Sequence, residues 1–326
     1  MDQRNKSLVV ICGASAGVGR ATAHRFAAAG YSIGLLARDE AGLASTQDEL
    51  NRYDVQVLSI SVDVADASAV EAAAIRLEEA LGPLVIWVNS AMATVFSPVE
   101  KLTAQEIQRV TEVTYLGTVH GTLAALKLMR QRDNGLIIQV GSALAYRAIP
   151  LQAAYCGAKF AVRGFTDSLR CELLHDHSRI RVCMVQLPAI NTPQFDWARN
   201  KLQKRPQPIP PIHDPDVAAR AIFSVIQNPP RELWLGWASI KAIVGTSLMP
   251  GLLDRFMARN AYSGQMSEED DAQRLDNLFA PDNALHQIRG RFVGRSRESA
   301  VALTSTQVSA LLLLFAFLGG VLLLLF

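Results

Sequence analysis

Short runs of Val, Ile and Leu alternate along the chain with longer segments of mixed polarity. Each run is apolar at consecutive positions, the pattern of a strand covered by helices on both faces. The intervening segments are long enough for right-handed crossovers between parallel strands. The pattern therefore predicts a doubly wound α/β fold with a seven-stranded parallel sheet. The seven runs are LVVIC (8–12), YSIGLLA (31–37), VQVLSISV (55–62), LVIWV (84–88), LIIQV (136–140), RVCMVQL (181–187) and ELWLG (232–236).

Polar capping residues mark where several of the intervening helices begin. Asp66 precedes a helical run toward Leu81, Thr103 precedes one toward Met129, and Asp214 precedes Pro215 at the start of another. The stretch 191–211 contains five prolines, which break the periodicity. We expect a long connection there, able to act as a flexible lid.

The last quarter of the chain changes character twice. Residues 1–262 form the predicted α/β domain, and residues 263–299 are polar and predict a linker. Residues 300–326 carry no charged side chain. A helix of the final 19 residues would be about 28 Å long, close to the thickness of a bilayer's hydrocarbon core. This tail predicts a C-terminal transmembrane-like helix that anchors the protein in a membrane with its catalytic domain in the cytoplasm.

Composition excludes several classes of protein. Half of the residues are hydrophobic and 19% are charged, which excludes a disordered chain. The net charge of +2 gives no reason to expect a nucleic-acid partner. The four cysteines form no CxxC pair, and the histidines lack the spacing of ligands, so we expect neither a disulfide framework nor a metal site.

A glycine-rich loop follows the first strand and opens a helix. Gly13, Gly17 and Gly19 form a GxxxGxG pattern that also contains Ser15 and Val18. Glycine permits close backbone approach, and a helix N-terminus attracts anions, so this loop predicts a pyrophosphate site.

Two residues at later strand ends predict the adenosine contacts. Arg38 follows the second strand without a preceding carboxylate, and a guanidinium there would bind the 2′-phosphate of NADP. Asp63, followed by Val64, ends the third strand, where a carboxylate accepts from an adenine amino group or caps a helix. NADP is therefore the predicted cofactor, in preference to NAD.

Tyr155 and Lys159 are spaced to share one face of a helix. A tyrosine hydroxyl has an ordinary pKa near about 10, and a nearby ammonium favours its ionised form. Ser142 ends the fifth strand, where it would hydrogen-bond the substrate oxygen. These three residues predict general acid–base catalysis at a carbonyl or alcohol.

Together these motifs resemble the short-chain dehydrogenase/reductase family over residues 6–260. The resemblance implies that the doubly wound sheet is a Rossmann fold and that the chemistry uses nicotinamide. The resemblance implies that Tyr155 exchanges the proton, that Lys159 holds the nicotinamide ribose and lowers the tyrosine pKa, and that Ser142 orients the carbonyl. It also implies further cofactor contacts. These are Asp63 at the adenine, Asn89 in the stretch that is NNAG in the family, and the segment from Pro188 to Thr192 at the nicotinamide carboxamide.

The sequence departs from the family pattern at a position that bears on proton transfer. Thr114 stands where the family often has an asparagine whose backbone carbonyl positions a relay water. Because a backbone carbonyl survives this change, Thr114 is retained as a candidate catalytic position. The resemblance further implies a homodimer or homotetramer formed through the helices near 103–129 and 152–175.

Large apolar side chains near 195–197 and 232–253 favour a hydrophobic carbonyl or alcohol substrate. The same side chains are also compatible with simple core packing. Two other functions remain open: a non-catalytic NADP-binding membrane scaffold, and an epimerase or dehydratase on the same fold. Epimerases generally have a differently spaced glycine loop and a larger C-terminal substrate domain, neither of which is present here.

Overall fold

The structure is a computed structural model that describes residues 7–271 and 275–325, without the side chains of 315, 316 and 319–325. All seven predicted strands are present within it. The strands are β1 (Leu8–Cys12), β2 (Ser32–Ala37), β3 (Val57–Ser61), β4 (Leu84–Asn89), β5 (Val95–Phe96), β6 (Gly135–Ser142), β7 (Ile180–Leu187), β8 (Ala189–Ile190), β9 (Arg199–Asn200), β10 (Lys204–Pro206), β11 (Ile212–His213), β12 (Glu232–Leu235), β13 (Met266–Asp270), β14 (Ser296–Arg297) and β15 (Ala302–Thr304).

The main sheet has the order β15-β12-β7-β6-β4-β1-β2-β3. Its seven strands from β12 to β3 are parallel, as the apolar runs predict. An eighth strand differs from the prediction, because β15 adds to β12 in antiparallel orientation. This strand has only three residues, too few for a recognisable pattern.

Helices cover both faces of the sheet. They are α1 (Gly17–Ala27), α2 (Glu40–Leu50), α3 (Ala67–Leu81), α4 (Ala104–Thr111), α5 (Gly117–Met129), α6 (Ala153–His175), α7 (Gln194–Trp197), α8 (Pro215–Ser224), α9 (Trp237–Leu248), α10 (Pro250–Gly264) and α11 (Ser305–Leu325). The predicted caps are confirmed: the side chains of Asp66, Thr103 and Asp214 each accept a hydrogen bond from the first turn of α3, α4 and α8. A π-helical turn, Glu112–Leu116, joins α4 to α5.

Two hydrophobic clusters lie on opposite faces of the sheet. In β1, Leu8 and Val10 face the cluster that includes α3 and α5, while Val9 and Ile11 face the cluster that includes α1 and α8. Alternate residues of a strand point to opposite faces, so a central strand buried on both sides must be apolar throughout. Residues at the carboxyl edge of the sheet line a cavity, at the position where open α/β sheets bind ligands.

The segment predicted to be a linker, 263–299, packs against the domain at several points, although side chains such as Leu275 and Val293 are exposed. Strand β13 pairs with β10, and β14 pairs with β11. Leu278 is fully buried and Phe292 almost so. Backbone pairing and isolated apolar side chains hold this segment, and neither leaves a periodic signal in the sequence.

The apolar end of the chain forms helix α11. Its exposed side chains include Leu313 and Phe317, while Val308 in its first turn is buried against the domain. Over the residues that the structure describes, no helix is both long enough and apolar enough to cross a membrane. The predicted transmembrane anchor is thus not confirmed, and most side chains of its second half lie outside the described residues.

Candidate active site

The glycine loop makes a tight turn between β1 and α1. Gly13 has a φ of +82°, and a Cβ at Gly19 would lie 2.0 Å from the carbonyl oxygen of Gly13. The N-terminus of α1 has no side-chain cap and no acidic residue in its first turn. The amide of Gly17, the first residue of α1, donates to the carbonyl of Gln287 at 2.9 Å. The positive dipole end of the helix suits the pyrophosphate of a dinucleotide, as the loop pattern predicts.

Arg38 and Asp63 lie at the carboxyl ends of β2 and β3, at the predicted adenosine end. The guanidinium of Arg38 donates to backbone carbonyls of residues 277–279, including Asn277 at 2.6 Å and Phe279 at 3.1 Å. Asp63 forms a short ion pair with Arg109 of α4 and also accepts from the backbone of Ala65 at 3.0 Å. Both side chains therefore stand where predicted and are engaged by protein groups.

Tyr155 and Lys159 lie one turn apart on α6, facing the end of β6. The hydroxyl of Tyr155 lies close enough to the Ser142 side chain for that side chain to act on its pKa. The ammonium of Lys159 lies 5.7 Å from the centre of the Tyr155 ring and donates to the carbonyl oxygen of Val140 at 2.7 Å. The oxygen of Ser142 also accepts from the backbone of Leu144 at 3.1 Å, which fixes the start of the turn Ala143–Ala145.

Burial dominates the protonation of these groups. Desolvation raises the pKa of Tyr155, and the Ser142 side chain opposes that rise. Burial lowers the pKa of Lys159 to about 8, so the ammonium remains charged at neutral pH. The sequence led us to expect Lys159 to depress the pKa of Tyr155, but desolvation of the phenol dominates in this arrangement.

One cavity of about 500 Å³ joins most of the predicted site residues. It runs from the adenosine end, past the glycine loop, to Tyr155 and the substrate side. The predicted residues that line it are Gly13, Ser15, Gly17, Val18, Gly19, Arg38, Asp63, Val64, Ser142, Tyr155, Lys159, Pro188 and Thr192.

Asn89 and Thr114 do not line this cavity. The amide of Asn89 is buried between Trp87, which donates to it at 2.8 Å, and Gln139, to which it donates at 2.9 Å. The hydroxyl of Thr114 accepts a hydrogen bond from the amide of Ala93 and donates one to the carbonyl of Ala93. The backbone carbonyl of Thr114 accepts from the hydroxyl of Thr118 at 2.9 Å. In this structure both residues fix neighbouring backbone segments instead of facing the cavity.

Several cavity residues were not anticipated from the sequence. Gln265 donates to the carbonyl of Pro150 at 2.7 Å and accepts from Gln152 at 2.7 Å, and both glutamines line the substrate side. Arg147 lines it too and pairs with Asp254 of α10. These residues come together only through tertiary folding, and no local motif marks them. Within 7–271 and 275–325, no three His, Cys, Asp or Glu side chains are grouped to hold a metal ion.

Comparison with known proteins identifies the family. Residues 7–203 match the family model described as short chain dehydrogenase. The chain is 32% identical over 275 residues to the uncharacterized oxidoreductase YxnA of Bacillus subtilis, covering 83% of this chain and 77% of that protein. It is 34% identical over 196 residues to 3-dehydrosphinganine reductase of Danio rerio, covering 59% and 58%. The chain thus belongs to the short-chain dehydrogenase/reductase family.

Solved structures agree with this assignment. An alcohol dehydrogenase from the archaeon Thermococcus sibiricus, complexed with 5-hydroxy-NADP, superposes with a TM-score of 0.61 and 26% identity, covering 70% of this chain and 95% of that one. Levodione reductase gives a TM-score of 0.55 and 29% identity, covering 58% and 74%. The protein is an oxidoreductase that acts on alcohol or keto groups, and its family binds a nicotinamide cofactor.

Proposed function

We propose that the protein is an NADP(H)-dependent oxidoreductase that reduces a hydrophobic carbonyl compound, with Tyr155 as the general acid. The observation that carries this proposal is that Ser142, Tyr155 and Lys159 line the same cavity as the glycine loop. Nicotinamide, when bound, supplies the hydride in this family's chemistry.

The residues around Tyr155 support the direction of reduction. Burial raises the pKa of Tyr155, so the hydroxyl keeps at neutral pH the proton that reduction requires. The same shift makes the phenol a weaker acid, so proton transfer to a carbonyl oxygen needs a group that stabilises the phenolate. In this proposal Ser142 hydrogen-bonds that same oxygen and orients it. Lys159, charged and buried one turn away, holds the ribose and stabilises the phenolate left after proton transfer.

Arg38 supports the preference for NADP. A guanidinium matches the charge and geometry of a 2′-phosphate, and Arg38 lines the cavity at the end of β2. We expect kcat/KM for NADPH to exceed that for NADH by at least tenfold, and Arg38→Leu to abolish most of that difference. Equal efficiency of the native protein with both cofactors would contradict the preference.

The substrate side of the cavity supports a hydrophobic substrate. Its walls include Ile149, Phe195, Phe256 and Met257, with the amides of Gln152 and Gln265 among them. A few polar groups on apolar walls are typical of sites that orient a largely apolar ligand. Activity confined to small polar ketones in a broad screen would contradict this substrate class.

Tyr155→Phe tests the catalytic role directly. Removing the hydroxyl removes the proton donor, so we expect turnover of NADPH with a hydrophobic ketone library to fall by at least a hundredfold. Binding of NADP⁺, measured by calorimetry, should stay within a few-fold of the native value. A variant that retains full turnover would overturn the proposed mechanism.

Attachment to a membrane is a separate proposal that rests on the uncharged sequence of residues 300–326. An apolar segment of this length is stabilised in hydrocarbon. We expect the full chain to remain with the membrane fraction after carbonate washing and to require detergent for release. Release by carbonate alone would overturn the anchor.

A further inference from the structure

Residues 276–291 form a strap that begins and ends against the segment 191–214. At one end Asp276 pairs with Arg199 at 2.9 Å, and the amide of Asn277 donates to the carbonyl of Trp197 at 2.9 Å. At the other end Arg289 pairs with Asp214 at 2.7 Å, and the amide of Gly290 donates to Asn191 at 3.2 Å. The middle of the strap therefore spans from one fixed end to the other.

The strap crosses the carboxyl edge of the sheet at its adenosine end. Leu278 is fully buried in the cluster on the α3 and α5 face. Further along, the carbonyl of Gln287 accepts from the amide of Gly17 at 2.9 Å, and that of His286 accepts from Arg20, both on α1 of the opposite face. A segment that joins these two faces passes over the ends of the strands between them.

The strap uses the groups that an adenosine phosphate would need. The carbonyl oxygens of residues 277, 278 and 279 accept from the two terminal nitrogens of Arg38 at 2.6, 3.5 and 3.1 Å. The carbonyl of Leu278 also accepts from Arg109 at 3.1 Å, and Arg109 in turn pairs with Asp63. The strap thus contacts Arg38 directly, and it contacts Arg109, which pairs with Asp63.

The charges at this position favour exchange of the strap for an anion. Burial, and then repulsion from Arg109, lower the pKa of Arg38. The strap offers Arg38 only neutral carbonyl dipoles, whereas a phosphate offers negatively charged acceptors and stronger hydrogen bonds.

We propose that the strap is a built-in competitor of the cofactor: its carbonyls occupy Arg38, and the 2′-phosphate of NADP(H) replaces them and releases residues 277–287. This inference rests on the proposed use of Arg38 as the phosphate ligand. NAD(H) lacks the 2′-phosphate and so has no group to replace the strap carbonyls at Arg38. It therefore opens the strap only at a much higher concentration than NADP(H).

Hydrogen–deuterium exchange on the full chain tests the displacement. We expect NADP⁺ and the fragment 2′,5′-ADP to increase exchange in peptides covering 277–287, while NAD⁺ at the same concentration leaves it unchanged. Decreased exchange with NADP⁺ would overturn the proposal, because a strap that closes over the bound cofactor would become more protected. Unchanged exchange at saturating NADP⁺ would overturn it as well.

Leu278→Ala tests the competition by affinity, with Leu275→Ala as a matched control because Leu275 is 86% exposed. Loss of the buried side chain weakens the closed strap, so we expect Leu278→Ala to bind NADP⁺ and NAD⁺ more tightly, by the same factor of about tenfold. The control should bind both as the native protein does. Weaker binding by Leu278→Ala would overturn the proposal.

The two experiments separate the failure of this inference from failure of the NADP preference. If Leu278→Ala tightens both cofactors equally but the native protein binds them equally well, the strap competes and the cofactor preference is wrong. If NADP⁺ is preferred but Leu278→Ala tightens neither cofactor, the preference holds and the competition is wrong.

Discussion

At the scale of single residues, the site combines groups that a local motif reveals with groups that only the fold brings together. Tyr155, Lys159 and the glycines stand in contiguous patterns whose chemistry can be read from spacing, and the structure places them along one cavity. Gln265 reaches the same cavity from the segment after α10, 110 positions beyond Tyr155 in the sequence. A side chain like this has no local signal, because its position depends on how distant elements pack.

Lys159 is a residue whose functional placement is expected to reduce stability. Its ammonium is buried with the Val140 carbonyl as its partner, and burial lowers its pKa from 10.5 to about 8. Burying the charged ammonium therefore destabilises the folded state. This destabilisation is complete below pH 8 and becomes progressively smaller between pH 8 and 10.5. We expect Lys159→Met to unfold at higher urea concentration at pH 7, by on the order of 1 to 3 kcal/mol, while losing activity.

The pH dependence gives the control for this prediction. Native Lys159 loses its charge as the pH rises through its folded pKa, so the stability gap between variant and native protein should narrow from pH 7 to pH 10. A variant that is less stable than the native protein at pH 7 would contradict this account.

Gly19 is required by backbone geometry at the mouth of the cofactor groove. An alanine Cβ would lie 2.0 Å from the Gly13 carbonyl oxygen, so the loop would have to move. We expect Gly19→Ala to weaken NADP⁺ binding at least tenfold by calorimetry. Gly164→Ala is the matched control, since its Cβ meets no atom within 4 Å and alanine favours the helix by up to about 1 kcal/mol. Equal loss of binding in both variants would contradict the steric argument.

At the scale of elements, the predictable parts are those with a repeated pattern or a polar cap. The seven parallel strands were recognisable because helices on both faces require apolar residues at successive positions. Strand β15 and the strap were not, because three-residue backbone pairing and single buried side chains such as Leu278 impose no period on the sequence. The polar composition of 263–299 predicted a linker, whereas in the structure this segment folds back and pairs with strands of the domain.

The cap of α4 links such a local signal to the site. Thr103 accepts from the amide of Glu106 at 3.2 Å, and Glu106 accepts from the amide of Thr103 at 2.8 Å, a reciprocal capping box. Helix α4 carries Arg109 to the adenosine end. We expect Thr103→Ala to cost about 1 kcal/mol and to increase hydrogen exchange at the start of α4. Thr103→Ser, which keeps the hydroxyl, should retain most of the stability, and an equal loss in both variants would argue against the cap.

At the scale of the whole molecule, the domain and the apolar C-terminal helix meet through a small contact. The start of α11 is fixed by reciprocal hydrogen bonds between Thr304 and Gln307, at 2.8 and 3.1 Å. The next residue, Val308, is buried in a cluster with Trp234, Ile240 and Ile243. Beyond this point the described side chains of α11 are mainly exposed leucines and phenylalanine. The direction in which α11 leaves the domain therefore depends on Val308 and its neighbours.

Val308→Ala tests how firmly this contact holds α11 to the domain. Removing two buried methyl groups should cost about 2 kcal/mol and leave a gap beside Trp234. We expect a lower urea midpoint when unfolding is followed by tryptophan fluorescence, and faster hydrogen exchange in the first turn of α11. Leu313→Ala is the control, because Leu313 is 72% exposed and its truncation should leave both measurements unchanged. If Val308→Ala behaves like that control, the buried valine does not hold α11, and the pairing of β15 with β12 must hold it instead.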